Sequence, residues 1–145
     1  MKKIILPTLP PCPNQCELIN KIFFDIDFEE KKKIISKIQK KINGYKQQDK
    51  KKNRFNKYDF ITYNDLMEKL VISKLRCFYC RKDILINYDM NRDPRQWTLD
   101  RIDNKTGHNT TNVVISCLKC NLEKRTRCSN KFKFTKQMKI IKKII

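Results

Sequence analysis

The sequence predicts an α+β domain carrying basic helical extensions, and three observations say so. Apolar residues recur at helical spacing over residues 17–42 and again over 135–145. Extended segments are expected over residues 84–86 and from Trp97 onward. Two C-x2-C pairs, Cys77 with Cys80 and Cys117 with Cys120, stand 36 residues apart. Each pair presents two thiolates on a tight turn, and four thiolates suit one tetrahedral Zn²⁺ with no position left for water. That zinc is expected to be structural, joining two chain segments and doing no chemistry.

Residues 1–16 open the chain, and the four prolines among residues 7–16 exclude a helix there, which predicts an extended surface arm. Cys12 and Cys16 are spaced C-x3-C; with Cys128 they make three thiols outside the two pairs, one ligand short of a second zinc site, so they are expected as free thiols.

Residues 17–60 read as a basic helical extension and linker. Leu18, Ile22 and Ile26, then Ile34, Ile35, Ile38 and Ile42, share a face, while lysines fill the other; two helices or one bent helix satisfy this pattern. Acids at residues 25–30 precede the lysines of 31–41, as a fresh helix N-terminus at Asp27 prefers. Asn43 and Gly44 are expected to stop that helix, leaving residues 45–57 as a basic connector with Tyr45 and Phe55 interleaved. Residues 31–57 hold 12 Lys or Arg against one acid, Asp49, and read as a phosphate-tracking stretch in which Lys50, Lys51, Lys52 and Arg54 touch nucleic-acid backbone. Gln47, Gln48 and Asn53 add possible groove contacts without specifying a base sequence.

Residues 61–128 form the zinc domain. Thr62 is placed to cap a short helix, with Asp65 at the capping-box position and Leu66, Leu70 and Val71 on one face. The chain then turns through Cys77 and Cys80, runs extended over 84–86, turns at 91–95 and enters a strand at Trp97, which is expected to plug the core beside the zinc. In residues 129–145, Phe132 and Phe134 flank Lys133, and Thr135 begins a last basic helix with Met138, Ile141 and Ile145 on one face. Packing on the domain, self-association and lipid contact all fit that face.

The formal charge of +19 exceeds what solubility needs and points to a polyanionic partner, nucleic acid first and a membrane surface second. Heavy use of Lys, Ile and Asn also looks like coding bias toward A and T, so part of that charge is uninformative. The apolar run before Pro7 is only three residues long, which excludes a signal peptide, and no later stretch is long enough to span a bilayer. Paired C-x2-C knuckles without a signal predict a reducing, intracellular setting.

Residues 77–125, about a third of the chain, resemble the zinc-containing branch of the HNH, or ββα-metal, endonucleases, whose pattern runs C-x2-C, L-D-H-I-x-P-x-S-x-G-G, N-[LV], C-x2-C-N-x2-K. Leu99, Asp100 and Ile102 fall on the family's first strand, Gly107 on its loop, Asn112 and Val113 on its return strand, and Cys120, Asn121 and Lys124 on its helix. The resemblance implies a hairpin-helix core around the zinc. It implies that Asp100 and Asn121 hold one Mg²⁺ or Mn²⁺ against the scissile phosphate, that Asn112 braces the loop, and that Arg101, Lys124 and Arg125 contact phosphate. It further implies a metal-dependent endonuclease acting on DNA, in a viral or mobile-element setting, with a homodimer or larger assembly compatible with cutting both strands.

The chain departs from the family where the general-base histidine is expected, because that position holds Arg101, which cannot take a proton near neutral pH. A base supplied elsewhere, water activated by the cation with Arg101 steadying the phosphorane, and loss of hydrolysis are the three readings. Similar Asp-Arg-Ile-Asp-Asn sequences followed by Gly-Tyr or Gly-His occur in phage-like and virus-like members. His108, the sole histidine, reads either as the substitute base or as a turn residue that meets solvent. The reading that competes with the nuclease is a catalytically degenerate protein that binds DNA or RNA in a structural or ribonucleoprotein role.

Overall fold

A computed structural model describes residues 15–144, so residues 1–14 of the expected arm, with Cys12, lie outside the described residues, while Gln15 and Cys16, also expected to be extended, instead open the first helix beyond the arm's last proline. Helices α1 (Gln15–Phe23), α2 (Lys31–Lys51) and α3 (Tyr63–Ser73) precede an antiparallel pair, β1 (Trp97–Arg101) and β2 (Val113–Cys117), and helices α4 (Leu118–Lys124) and α5 (Ser129–Ile144) follow. The chain is therefore α+β. Among the described residues no helix is long and apolar enough to cross a membrane.

The N-terminal isoleucines form two helices rather than one. Asp25 takes a left-handed conformation (φ 56°), and Ile26 N–H returns to Lys21 C=O at 2.8 Å while Asp25 N–H returns to Ile22 C=O at 3.1 Å, which closes α1. Ile19 and Ile22 are buried, but Ile26 has left the helix and is 51% exposed. Helix α2 begins at Lys31, four residues after the expected Asp27; Lys31 Nζ instead reaches back to Asp25 at 2.7 Å and Asp27 at 3.3 Å.

The expected stop at Asn43 and Gly44 is not a stop. Helix α2 passes through both and ends eight residues later, where Asn53 turns left-handed (φ 58°), Arg54 N–H bonds Asp49 C=O at 2.7 Å and Asn53 N–H bonds Lys50 C=O at 3.2 Å. A mid-helix glycine costs about 1 kcal/mol relative to alanine, and residues beyond Gly44 offset that by anchoring the helix to the sheet. Tyr45 Oη accepts Leu99 N–H at 3.1 Å, and Lys41 Nζ donates to Trp97 C=O and, at 2.8 Å, to Gln96 Oε1. Both backbone groups lie on the edge of β1 that faces away from β2. Helix α2 thus covers an edge strand that would otherwise present unpaired backbone.

Thr62 caps α3 as expected, accepting Asp65 N–H at 3.1 Å, while the Asp65 carboxylate accepts Thr110 Oγ1 at 3.0 Å from across the domain. Residues 84–86 are buried and extended, with Leu85 bridged to Gln96. Strands β1 and β2 pair from Trp97↔Cys117 to Arg101↔Val113, and α4 begins at the next residue. Trp97 is buried, as expected of a core plug, with Lys41 Nζ 4.4 Å from its ring centroid. A single apolar cluster joins Ile19, Ile34 and Ile38 of the N-terminal helices to Leu66, Leu70, Trp97 and Leu99.

Helix α5 starts at Ser129, six residues before Thr135, because its first turn has a place in the core. Phe132 is buried with its ring 5.0 Å from that of Tyr79, whose hydroxyl oxygen accepts from Ser129 Oγ at 3.2 Å. Beyond it, Phe134, Met138 and Ile141 are exposed, so that face does not pack on the domain; Ile145 lies outside the described residues.

Candidate functional site

The two knuckles meet. Cys77 and Cys80 lie on the turn after α3, Cys117 ends β2 and Cys120 sits in the first turn of α4, and all four Sγ atoms lie within 4.8 Å of one another. The Cys80 and Cys117 sulfurs are 3.9 Å apart, close to the ~3.8 Å that a tetrahedral ion with 2.3 Å bonds sets between thiolates. Amides of Tyr79 and Cys80 point at Cys77 Sγ (3.4 and 3.5 Å), and that of Cys120 points at Cys117 Sγ (3.4 Å), as in a knuckle that spreads thiolate charge onto the backbone. Hydrogen bonding from Cys117, then Cys120, pulls the Cys77 thiol down to about 6, while the same crowding pushes Cys117 and Cys120 up. A divalent cation removes that conflict by favouring all four thiolates at once. The donor set fits Zn²⁺, and among the described residues this is the one such cluster. Cys16 is elsewhere, donating Sγ–H to Lys74 C=O at 2.9 Å, and Cys128 is exposed.

Above the cluster, strand alternation turns Thr98 and Asp100 toward α4. Asn121 Nδ2 donates to Thr98 Oγ1 at 3.1 Å and Leu99 C=O at 3.3 Å, which pins α4 across β1 just before Asp100. Asp100 is itself enclosed, 4% exposed, accepting the Tyr79 hydroxyl and the Lys124 ammonium, the latter at 3.2 Å from Oδ2. Burial first, then the hydrogen bond to Asp100, push the Tyr79 phenol well above its ordinary value, so it stays a donor. Lys124 was expected at a phosphate; it is fully buried, bonded to Asp100 and at 3.1 Å to Arg101 C=O. A cation that neutralises a buried carboxylate has no freedom to reach outward.

Asn112 ties the β1–β2 loop. Its Oδ1 accepts Asp103 N–H at 2.8 Å, and its Nδ2 donates to Asp103 C=O at 3.0 Å and Gly107 C=O at 2.9 Å. Arg101 adds a second brace, donating to Asn104 C=O at 2.6 Å and Thr106 C=O at 3.1 Å; burial, then the neighbouring Arg54 guanidinium, pull it below its ordinary value.

His108 is enclosed rather than standing open on its turn. It is 5% exposed, its N–H donates to Asp49 Oδ2 at 2.7 Å, its Nδ1 lies 2.8 Å from Asp49 Oδ1, and its ring stacks on Tyr45 at 4.4 Å. Burial pulls the imidazole below its ordinary value, partly opposed by the Asp49 hydrogen bond and charge. Gly107 permits this approach: a Cβ there would stand 2.5 Å from Asp49 Oδ2 and 2.8 Å from Arg54 C=O.

Asp49, Tyr79 and Lys41 are the residues that sequence reasoning missed. Asp49 carried a signal, being the lone acid in a cationic run and four residues after Tyr45, so that both share a face once α2 continues through Gly44. Lys50, Lys51 and Lys52 follow Asp49 at the exposed end of α2, with Lys50 Nζ 5.2 Å from the Phe55 ring. Arg54 is half-buried beside Arg101, and Arg125 is exposed at the C-terminal end of α4, with φ 54°.

Comparison with known proteins yields no significant match to a family model, a curated protein or a solved structure.

Proposed function

We propose that this chain is a metal-dependent endonuclease of the HNH, or ββα-metal, type, hydrolysing phosphodiester bonds in DNA, with a structural zinc on Cys77, Cys80, Cys117 and Cys120. The observation that supports the reading is a hairpin and following helix that carry Cys117 and Cys120 together with the pattern residues: Lys124 of the helix bonds Asp100, Asn121 bonds Leu99 C=O next to it, and Asn112 ties the loop. Those residues come from the separate segments that the family pattern marks.

Asp100 and Asn121 offer a carboxylate and an amide oxygen, a donor set that suits a hard cation such as Mg²⁺ or Mn²⁺ keeping most of its water. Lys124 already shares Asp100, so the ion competes with an ammonium for that carboxylate. When bound, the cation stabilises charge developing on the phosphate. Arg101 holds the loop and carries positive charge toward the phosphate, and Lys50, Lys51, Lys52 and Arg54 track the backbone on either side. His108 is the imidazole available for proton transfer.

One observation favours a second reading. Asp100 is almost sealed, with Tyr79 and Lys124 on its oxygens, which suits a protein that keeps the fold, binds DNA or RNA through its basic surface and has given up hydrolysis.

Cleavage of supercoiled plasmid by the zinc-loaded protein, with and without Mg²⁺ or Mn²⁺, separates the two. Asp100→Asn is the control of choice, since Asn keeps an acceptor for Tyr79 and Lys124 that Ala removes. Cutting that needs the cation and is lost in Asp100→Asn supports the nuclease. Salt-sensitive binding without any cutting supports the binding protein.

A further inference from the structure

Helix α2 was expected to end before Asp49, and its continuation is what places a carboxylate behind the sole imidazole. Asp49 is 2% exposed and meets His108 twice, through the backbone N–H at 2.7 Å and through Nδ1 at 2.8 Å. Two bonds from one carboxylate fix both the position and the rotation of the ring, and the Tyr45 ring stacked at 4.4 Å holds its plane. Gly107 leaves room for nothing larger than hydrogen at the point of closest approach. Among the described residues no group hydrogen-bonds Nε2, and the His108 side chain keeps 6% exposure.

We infer that Asp49 is a positioning residue that holds His108 with Nδ1 protonated and Nε2 free, making Nε2 the general base that replaces the imidazole missing at Arg101. The inference rests on the nuclease reading and says where its base lies. A water oxygen bonds to phosphorus as the bond from phosphorus to the leaving oxygen breaks; the water's proton passes to Nε2, and the leaving oxygen takes a proton from solvent water. A carboxylate on Nδ1–H stabilises the imidazolium that forms.

The charges that face His108 are known by element. Asp49 comes from α2, with the neutral Tyr45 phenol one turn before it; Asp100 and Arg101 come from β1. Arg54, from the loop after α2, presses its carbonyl on Gly107. Ile61, which donates its N–H to His108 C=O at 3.0 Å, brings no charge. Asp49 and Asp100 favour the imidazolium, and Arg101 and burial oppose it.

Because His108 is the only histidine, its imidazole nitrogens are read without ambiguity by ¹⁵N NMR of the zinc-loaded protein. The neutral ring is expected as the Nδ1–H tautomer, and its titration midpoint is expected to coincide with the acidic limb of kcat/KM for plasmid or oligonucleotide cleavage with Mg²⁺ or Mn²⁺. Asp49→Asn, checked for zinc content and melting, is expected to lower kcat about 100-fold with KM changed less than about threefold. It is also expected to move the acidic limb to lower pH, since a carboxylate that favoured the imidazolium is gone. His108→Gln should lose as much, and the double variant little more, because the two act as a unit.

An Nε2–H tautomer, or a limb displaced by more than about one unit from the His108 midpoint, overturns the inference even if Asp49→Asn does not fold. Full activity in a folded Asp49→Asn with the limb unmoved overturns it too, while leaving the nuclease standing. Absence of cation-dependent cutting by the wild type removes the nuclease and this inference together.

Discussion

Lys124 Nζ lies 3.2 Å from Asp100 Oδ2 with both side chains out of solvent, 0% and 5% exposed. Such a pair gives little net stability when intact, because desolvation of both charges offsets their attraction, but removing one partner strands the other. Lys124→Met is therefore expected to cost about 3–5 kcal/mol of unfolding free energy, measured by denaturant titration of the zinc-loaded protein. Tyr79→Phe removes one of the two donors to Asp100 and should cost about 1–3 kcal/mol. A loss under 1 kcal/mol for Lys124→Met would mean that Asp100 has another route to a partner or to water.

A zinc on the four cysteines would join segments 36 residues apart that Phe78 N–H to Ile115 C=O, at 2.9 Å, also ties. Chelation, or Cys77→Ser, is expected to abolish stoichiometric zinc and unfold the hairpin and α4, seen by metal analysis and near-ultraviolet circular dichroism. Cys16→Ser should keep full zinc, since that sulfur bonds Lys74 C=O outside the cluster. Full zinc in Cys77→Ser would show that three cysteines suffice.

The chain's two glycines answer opposite tests. Gly44 sits in mid-helix with nothing within 4 Å of a built Cβ, so Gly44→Ala should stabilise by about 1 kcal/mol, or about 3 °C in Tm. Gly107→Ala puts a methyl carbon 2.5 Å from Asp49 Oδ2 and should lower Tm and disturb the His108 signal. A neutral Gly107→Ala would mean that Asp49 can retreat without consequence.

Burial pushes the Lys41 ammonium down to about 7, where it lies over the Tyr88 and Trp97 rings and within reach of two oxygen acceptors. The folded value lies below the unfolded one, so between about 7 and the ordinary 10.5 the unfolded chain binds more protons and stability rises with pH. Relative to Lys41→Met, the wild type is expected to gain about 2 kcal/mol between pH 7 and pH 9. A pH-independent difference between the two proteins would show that the ammonium stays charged beneath α2.

Lys50, Lys51 and Lys52 crown the end of α2 next to Asp49. Replacing all three by Ala should weaken binding to duplex DNA uniformly across sequences and reduce the slope of log K against log salt by about 2 to 3. An unchanged slope would place the phosphate contacts elsewhere on this cationic surface.

What the sequence determined by itself is what local spacing encodes. Each C-x2-C pair dictates two thiolates on one tight turn, Thr62 and Asp65 a helix start, and the isoleucines a buried face, since each depends on residues a few positions apart. Tertiary structure decided the partners of the charged groups. Asp49 and His108 lie 59 positions apart, Asp100 and Lys124 lie 24 apart, and Tyr79 reaches Asp100 across 21. The Asp49–His108 pairing requires α2 to run through Gly44, and α2 does so because Tyr45 and Lys41 satisfy the open edge of β1, a gain that appears only once the sheet exists. A local stop signal worth about 1 kcal/mol yields to such anchoring.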